Sequence, residues 1–112
     1  MNNLKEYIIE KLKLNKNIDV LFFDLSDEEL IKRCKKVIED YNKRENQHYN
    51  ENIIFDKRNN EWRAQLSTTY AWSEPTLAGL YYKLAFWIGD ENYYEEVKNW
   101  EYDSKTSEFS KR

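Results

Sequence analysis

Residues 61–89, EWRAQLSTTYAWSEPTLAGLYYKLAFWIG, constrain the fold more than any other part of the chain. Trp62, Ala64, Leu66, Thr68, Tyr70 and Trp72 share one parity; Arg63, Gln65, Ser67, Thr69 and Ala71 share the other. Side chains two apart lie on one face of a sheet, so this alternation predicts a long half-buried strand. Ser73, Glu74 and Pro75 interrupt it, and a helix is expected from about Pro75 to Ile88. Pro suits the first helical turn, Ser73 or Glu74 can cap it, and Gly89 suits the position just past its end. Leu77, Leu80, Tyr81, Leu84 and Ile88 form one apolar stripe of this helix; Ala78, Tyr82, Ala85 and Phe86 form a second, with Trp87 between them. A helix this apolar has to be covered on more than one side. The strand face of Trp62, Ala64, Leu66 and Tyr70 is expected to pack on Leu80, Tyr81 and Leu84. On that packing Leu84→Asp unfolds the domain and Lys83→Asp is tolerated.

The other elements follow from shorter signals. Asn2 or Asn3 can cap a first helix reaching Leu14, with Leu4, Ile8, Ile9 and Leu12 as its apolar stripe. Ile18 to Phe23 reads either as an edge strand or as an irregular segment that plugs the core with Phe22 or Phe23. Ser26 and Glu29 have capping-box spacing, Leu25 and Leu30 the spacing of a hydrophobic staple, and the acids at 27–29 suit a helix start. The helix they open is expected to run from Asp27 to about Arg44, with Leu30, Ile31, Cys34, Val37, Ile38 and Tyr41 on one face. A polar loop covers residues 45–50, and Ile53 and Phe55 mark a strand. Arg58, Asn59 and Asn60 supply a hairpin turn, since Asn tolerates positive φ. Asp90 caps a last short helix in which Tyr93, Val97 and Trp100 recur. From Ser104 onward only Phe109 is a large apolar residue. The expected fold is a single α+β domain over residues 1–103, followed by a flexible tail over 104–112. Its small antiparallel sheet of two or three strands packs with three to four helices.

Little in the chain can do chemistry. With one Cys among 112 residues, no disulfide can form within the chain, and a reducing, cytoplasmic setting fits. The N-terminal residues mix acids with apolar residues and do not read as a signal peptide, and no segment is long enough to span a bilayer. Two Gly leave no material for a phosphate-binding loop. The lone His48 lies in a polar loop with no neighbouring His or Cys, which predicts a surface histidine and no metal site. Cys34 falls on an apolar helix face and reads as a core thiol, not as a nucleophile in an electropositive, accessible site. Asp24, Asp56 and Glu61 sit where caps and turns need them. No catalytic residue, cofactor or metal is expected. A ligand pocket, if there were one, would draw on Arg63, Gln65 or His48.

Two stretches carry charge patterns that bear on partners. Lys32, Arg33, Lys35, Lys36, Lys43 and Arg44 make a basic helix face, as a nucleic-acid-binding module would need. Glu39 and Asp40 lie among them at pairing distance along a helix, which favours a solvated face. Residues 90–103, DENYYEEVKNWEYD, hold six acids and one base, with four aromatics interleaved. Tyr and Trp are favoured interface anchors, and acidic charge steers basic partners. Either Tyr93, Val97 and Trp100 simply close the core, or the segment is a docking surface. Its expected binding residues are Asp90, Glu91, Tyr94, Glu95, Glu96, Glu101 and Tyr102. Ala78, Tyr82 and Phe86 on the second stripe form a second interface, for a partner or for a second copy in a homodimer, unless the chain covers them itself.

The helix over residues 27–44, the following IIFDKRNNEWRAQL and the helix SEPTLAGLYYKLAFW together resemble the phage ABA sandwich domain, a family of small phage and prophage proteins. The resemblance covers residues 27–88. It implies helix-sheet-helix layering and an origin in a phage or mobile element, and it carries no catalytic residues. It is consistent with an accessory protein that acts in the cytoplasm of a bacterial host cell by protein–protein binding. The expected activity is that of an anti-defence inhibitor directed at the basic surface of a host or defence-system protein such as a CRISPR nuclease (an anti-CRISPR). Nucleic-acid binding by the helix from Lys32 to Arg44 is the alternative, and a gel shift at low salt separates the two.

Overall fold

A computed structural model describes residues 21–112. The helix expected over residues 2–14 lies outside the described residues, as do residues 18–20. A 3-10 turn, Phe22–Asp24, leads into helix α1, Asp27–Glu45. Ser26 Oγ accepts from the Glu29 amide at 3.2 Å, so the cap forms as its spacing requires. The Glu29 carboxylate turns instead to Arg33, at 3.7 Å one turn on. Asn46 ends α1 in the left-handed region, φ 54°, which Asn adopts more readily than most residues.

Strands β1 (Ile53–Asp56), β2 (Glu61–Gln65) and β3 (Ala71–Glu74) form an antiparallel sheet in that order. Asp56 organises the β1–β2 turn: its carboxylate accepts from the amides of Arg58 (3.0 Å) and Asn59 (3.4 Å) and from Arg63 Nη2 (2.9 Å). Asn60 takes φ 53°, the positive φ that the Asn-rich turn allows. The long strand expected through Trp72 is a second hairpin. The Ser67 amide donates to the Tyr70 carbonyl (3.0 Å), and Ser67 Oγ accepts from the Tyr70 amide (3.0 Å). The register pairs Gln65 with Ala71 and Trp62 with Glu74. The connection between β2 and β3 holds an odd number of residues, so even-numbered side chains stay on one face through the turn. Alternation therefore cannot tell this hairpin from one strand. Of the even-numbered set, Ala64 and Leu66 are buried, Trp62 and Trp72 half-buried, and Tyr70 exposed at the turn. Tyr70 does not join the packing expected of it.

Helix α2, Leu77–Trp87, is capped by Thr76 rather than Ser73 or Glu74, with Thr76 Oγ1 accepting from the Gly79 amide at 3.0 Å. Ser73 and Glu74 belong to β3. Gly89 follows α2 without a positive φ; its amide donates to the Leu84 carbonyl at 3.0 Å. Leu77, Leu80, Tyr81, Leu84 and Ala85 are buried with Leu30, Cys34, Val37 and Ile38 of α1, with Ala64 and Leu66, and with Val97 of helix α3, Glu91–Val97. Each large side chain in this cluster is worth about 1.5–3 kcal/mol of burial.

The expected flexible tail is a strand. β4 (Trp100–Asp103) and β5 (Glu108–Lys111) form a second antiparallel sheet, with Trp100 paired to Lys111 and Tyr102 to Phe109. Phe109 stacks on Phe23 (centroids 4.7 Å apart) and meets Phe22 edge-on (5.1 Å) and Tyr102 (4.7 Å). One aromatic residue, with a cross-strand partner and the 3-10 turn beneath it, is enough to fix a strand that composition alone leaves loose. Phe22, 2% exposed, plugs the core, and the described end of its segment is a 3-10 turn and not a strand.

Candidate partner-docking surface

The outer end of α2 and helix α3 form one aromatic and acidic surface. Trp87 is 69% exposed and Tyr94 40% exposed, and both rings rest on Phe86, at 5.3 and 5.4 Å between centroids. Trp87 belongs to neither apolar stripe of its helix, so once both stripes are covered it has to face water. That position between the stripes was the sequence signal for it, although the expected docking residues did not include it. Asp90 caps α3, accepting from the amides of Asn92 (2.9 Å) and Tyr93 (3.3 Å). Glu91 and Glu95 are exposed on α3, and Glu95 takes Lys98 as a partner at 2.8 Å. Glu101 is exposed on β4 and faces Arg112 at 3.6 Å.

The other expected docking residues turn inward. Glu96 accepts from Arg33 Nη1 with both oxygens, at 2.8 and 2.7 Å, and from the hydroxyl of the buried Tyr81. This network ties α3 to α1 and α2. Burial pulls the Arg33 guanidinium pKa down, but the hydrogen bonds and charge of Glu96 outweigh it and hold the value above normal. Burial and then Glu96 push the Tyr81 hydroxyl well up, so it keeps its proton and serves as a structural donor. Tyr93 donates to Asp40 at 3.2 Å, a second fastening of α3 to α1, and its hydroxyl is pushed up to about 12 by burial and then by Asp40. Tyr102 lies over Gly79, where a Cβ would overlap its ring, and its hydroxyl pairs with Thr76 Oγ1 at 3.0 Å.

The second expected interface is largely covered by the chain. Tyr82 donates to the Trp100 carbonyl at 2.6 Å and packs against Phe22, Phe109 and Tyr102. Ala78 and Phe86 are half-buried against the same core. Among the described residues, the β4–β5 hairpin and the 3-10 turn cover Tyr82, and Tyr94 of α3 packs on Phe86.

Comparison with family models, with curated proteins and with solved structures finds no match to this chain.

The positions considered for chemistry are dispersed. His48 is exposed in its loop. Arg63 is engaged by Asp56, and Gln65 donates to the Ser67 carbonyl at 2.7 Å. Cys34 is fully buried, and burial pushes its thiol pKa far up, away from nucleophilic range. Among the described residues no three His, Cys, Asp or Glu side chains are grouped to hold a metal ion, and no helix is long and apolar enough to cross a membrane. On the basic face of α1, Lys36 pairs with Asp40 (3.3 Å) and Glu39 (3.5 Å), Lys43 with Glu39 (3.0 Å), and Arg44 with Glu45 (3.5 Å). These pairs cancel much of the charge that a phosphate backbone would meet.

Proposed function

We propose that this protein is a non-enzymatic accessory protein of phage or mobile-element type. It acts inside a bacterial host cell by direct contact with a host or defence-system protein, which it inhibits; a nuclease of the CRISPR type is the target class. The contact is made by Trp87, Tyr94, Glu91, Glu95 and Glu101 against a basic surface. The observation that carries this reading is the indole of Trp87, 69% exposed yet packed edge-on against a half-buried Phe86, with the exposed Glu91 and Glu95 on the helix that follows. Large aromatics in a packed, exposed setting are the residues that dominate binding energy, and surrounding acids speed encounter with a basic partner. The resemblance to the phage ABA sandwich domain supports the origin, and the ion pairing along α1 speaks against the nucleic-acid alternative.

The test compares capture from host lysate by the wild type, Trp87→Ala, and the double variant Glu91→Lys with Glu95→Lys. One host protein is expected with the wild type, with affinity reduced at least about thirtyfold by Trp87→Ala. The double reversal should flatten the salt dependence of binding. Equal capture by all three proteins, with circular dichroism showing each folded, rejects this surface.

A further inference from the structure

We infer that the ring of Phe86 and the polar groups around it form an arginine-recognition site, occupied in this structure by the chain's own Arg112. The inference rests on the docking reading above and names the side chain that the partner presents. Several contacts converge on one guanidinium. Its carbon lies 5.7 Å from the Phe86 ring centroid. Nε donates to the Trp100 carbonyl at 3.1 Å, Nη2 donates to the Tyr82 hydroxyl at 3.4 Å, and Nη1 faces the Glu101 carboxylate at 3.6 Å. The polarity of these groups is fixed from behind. Tyr82 spends its proton on the Trp100 carbonyl at 2.6 Å, so its oxygen offers only lone pairs to the site. The site is therefore a ring face with three acceptors spread around it: a carbonyl, a phenol oxygen and a carboxylate. A planar fork of N–H donors fits that arrangement, whereas an ammonium, a point donor, can satisfy only part of it.

Arg112 is held by contacts a competitor can replace. Its side chain is 45% exposed, and two of its polar contacts are at 3.4 and 3.6 Å. Phe86 also continues into the exposed rings of Trp87 and Tyr94. A basic partner segment lying on those two rings brings its own arginine to the Phe86 shelf, where it takes the place of Arg112. The partner's basic surface is thus one that presents arginine rather than lysine.

The experiment titrates the Arg112→Ala protein with blocked Gly-Arg-Gly and Gly-Lys-Gly tripeptides and follows backbone amides by NMR. The expected result is binding of the arginine peptide about threefold tighter than the lysine peptide, the size of one exposed cation–π contact, with shifts at Tyr82, Phe86 and Glu101. Adding Phe86→Leu should erase the preference. The wild type should bind the arginine peptide more weakly than Arg112→Ala. Should Arg112→Ala lose the β4–β5 hairpin, Arg112→Lys retains a side chain and charge there and serves for the same titration. Equal affinity for the two peptides, or shifts away from these residues, overturns the assignment. Arginine selectivity that fails while Trp87-dependent capture survives thus overturns this inference alone. Selectivity that holds while capture is insensitive to Trp87 supports the arginine site and removes the docking reading.

Discussion

Lys83 looks like the expendable position of α2, a lone charge among apolar stripes, and its replacement by Asp is the natural harmless control for Leu84→Asp. The tertiary structure reverses that expectation. Lys83 Nζ lies 2.6 Å from an oxygen of Glu74, whose residue is only 4% exposed, and the other Glu74 oxygen accepts from Ser104 Oγ at 2.8 Å. Lys83→Asp deletes the cation that neutralises a buried carboxylate and sets a second carboxylate beside it. Removing one member of a fully buried pair costs about 3–5 kcal/mol. Lys83 itself keeps 37% of its side-chain surface in water, which screens the loss, so a cost of about 2–3 kcal/mol is expected. In a chain of this size that lowers the melting temperature by about 10 °C. Urea denaturation followed by circular dichroism gives the free energy. Lys83→Met tests the lost cation without the added anion and should cost less. The double variant Glu74→Leu with Lys83→Met should regain most of the stability, because an apolar replacement leaves no unpaired buried charge. A Lys83→Asp protein that unfolds at the wild-type midpoint would refute the argument, as would a double variant no better than Lys83→Asp.

Three other outcomes test the packing. Leu84→Asp, at a fully buried position of α2, should give a chain with no cooperative unfolding transition; a folded protein would reject the α2 core. Gly79→Ala should destabilise by about 1–2 kcal/mol despite the higher helix propensity of Ala, because the new methyl displaces the Tyr102 ring; adding Tyr102→Ala should remove the penalty of the Gly79 change. Tyr93 has its hydroxyl raised to about 12 from an ordinary 10.0, so the folded state holds that proton more tightly than the unfolded chain. Its stabilisation is complete below pH 10 and is lost as pH rises toward 12. In a tyrosinate absorbance titration Tyr93→Phe should delete a late-titrating component, and an unchanged curve would contradict the Asp40 contact.

Local grammar made much of this fold legible. Ser26 and its acids announced the start of α1, the Asn-rich turn announced the first hairpin, and 3-4 spacing picked out Leu30, Cys34, Val37 and Ile38 as core. Each of those signals depends on residues a few positions apart, which the chain itself holds at fixed distances. The second hairpin of the main sheet was hidden because an odd-numbered connection carries the alternation through a turn unchanged. β5 was hidden because Phe109 is one aromatic in a polar stretch, and its partners Phe22 and Phe23 lie far back in the sequence. The candidate docking surface was half legible. The run of acids and aromatics over residues 90–103 stood out, but which of them face water did not.

The sequence by itself determined that α2 must be covered on two sides, that Cys34 is a core thiol, and that the acids of the C-terminal part cluster. Only the tertiary structure decided that the β4–β5 hairpin covers Tyr82, that Glu96 and Tyr102 turn inward, and that Trp87 and Tyr94 remain outside. The reason is physical. Composition and periodicity report how much apolar surface must be buried, whereas the identity of the cover depends on contacts between residues distant in the chain, such as Arg33 with Glu96 and Tyr82 with Trp100, which no local pattern encodes.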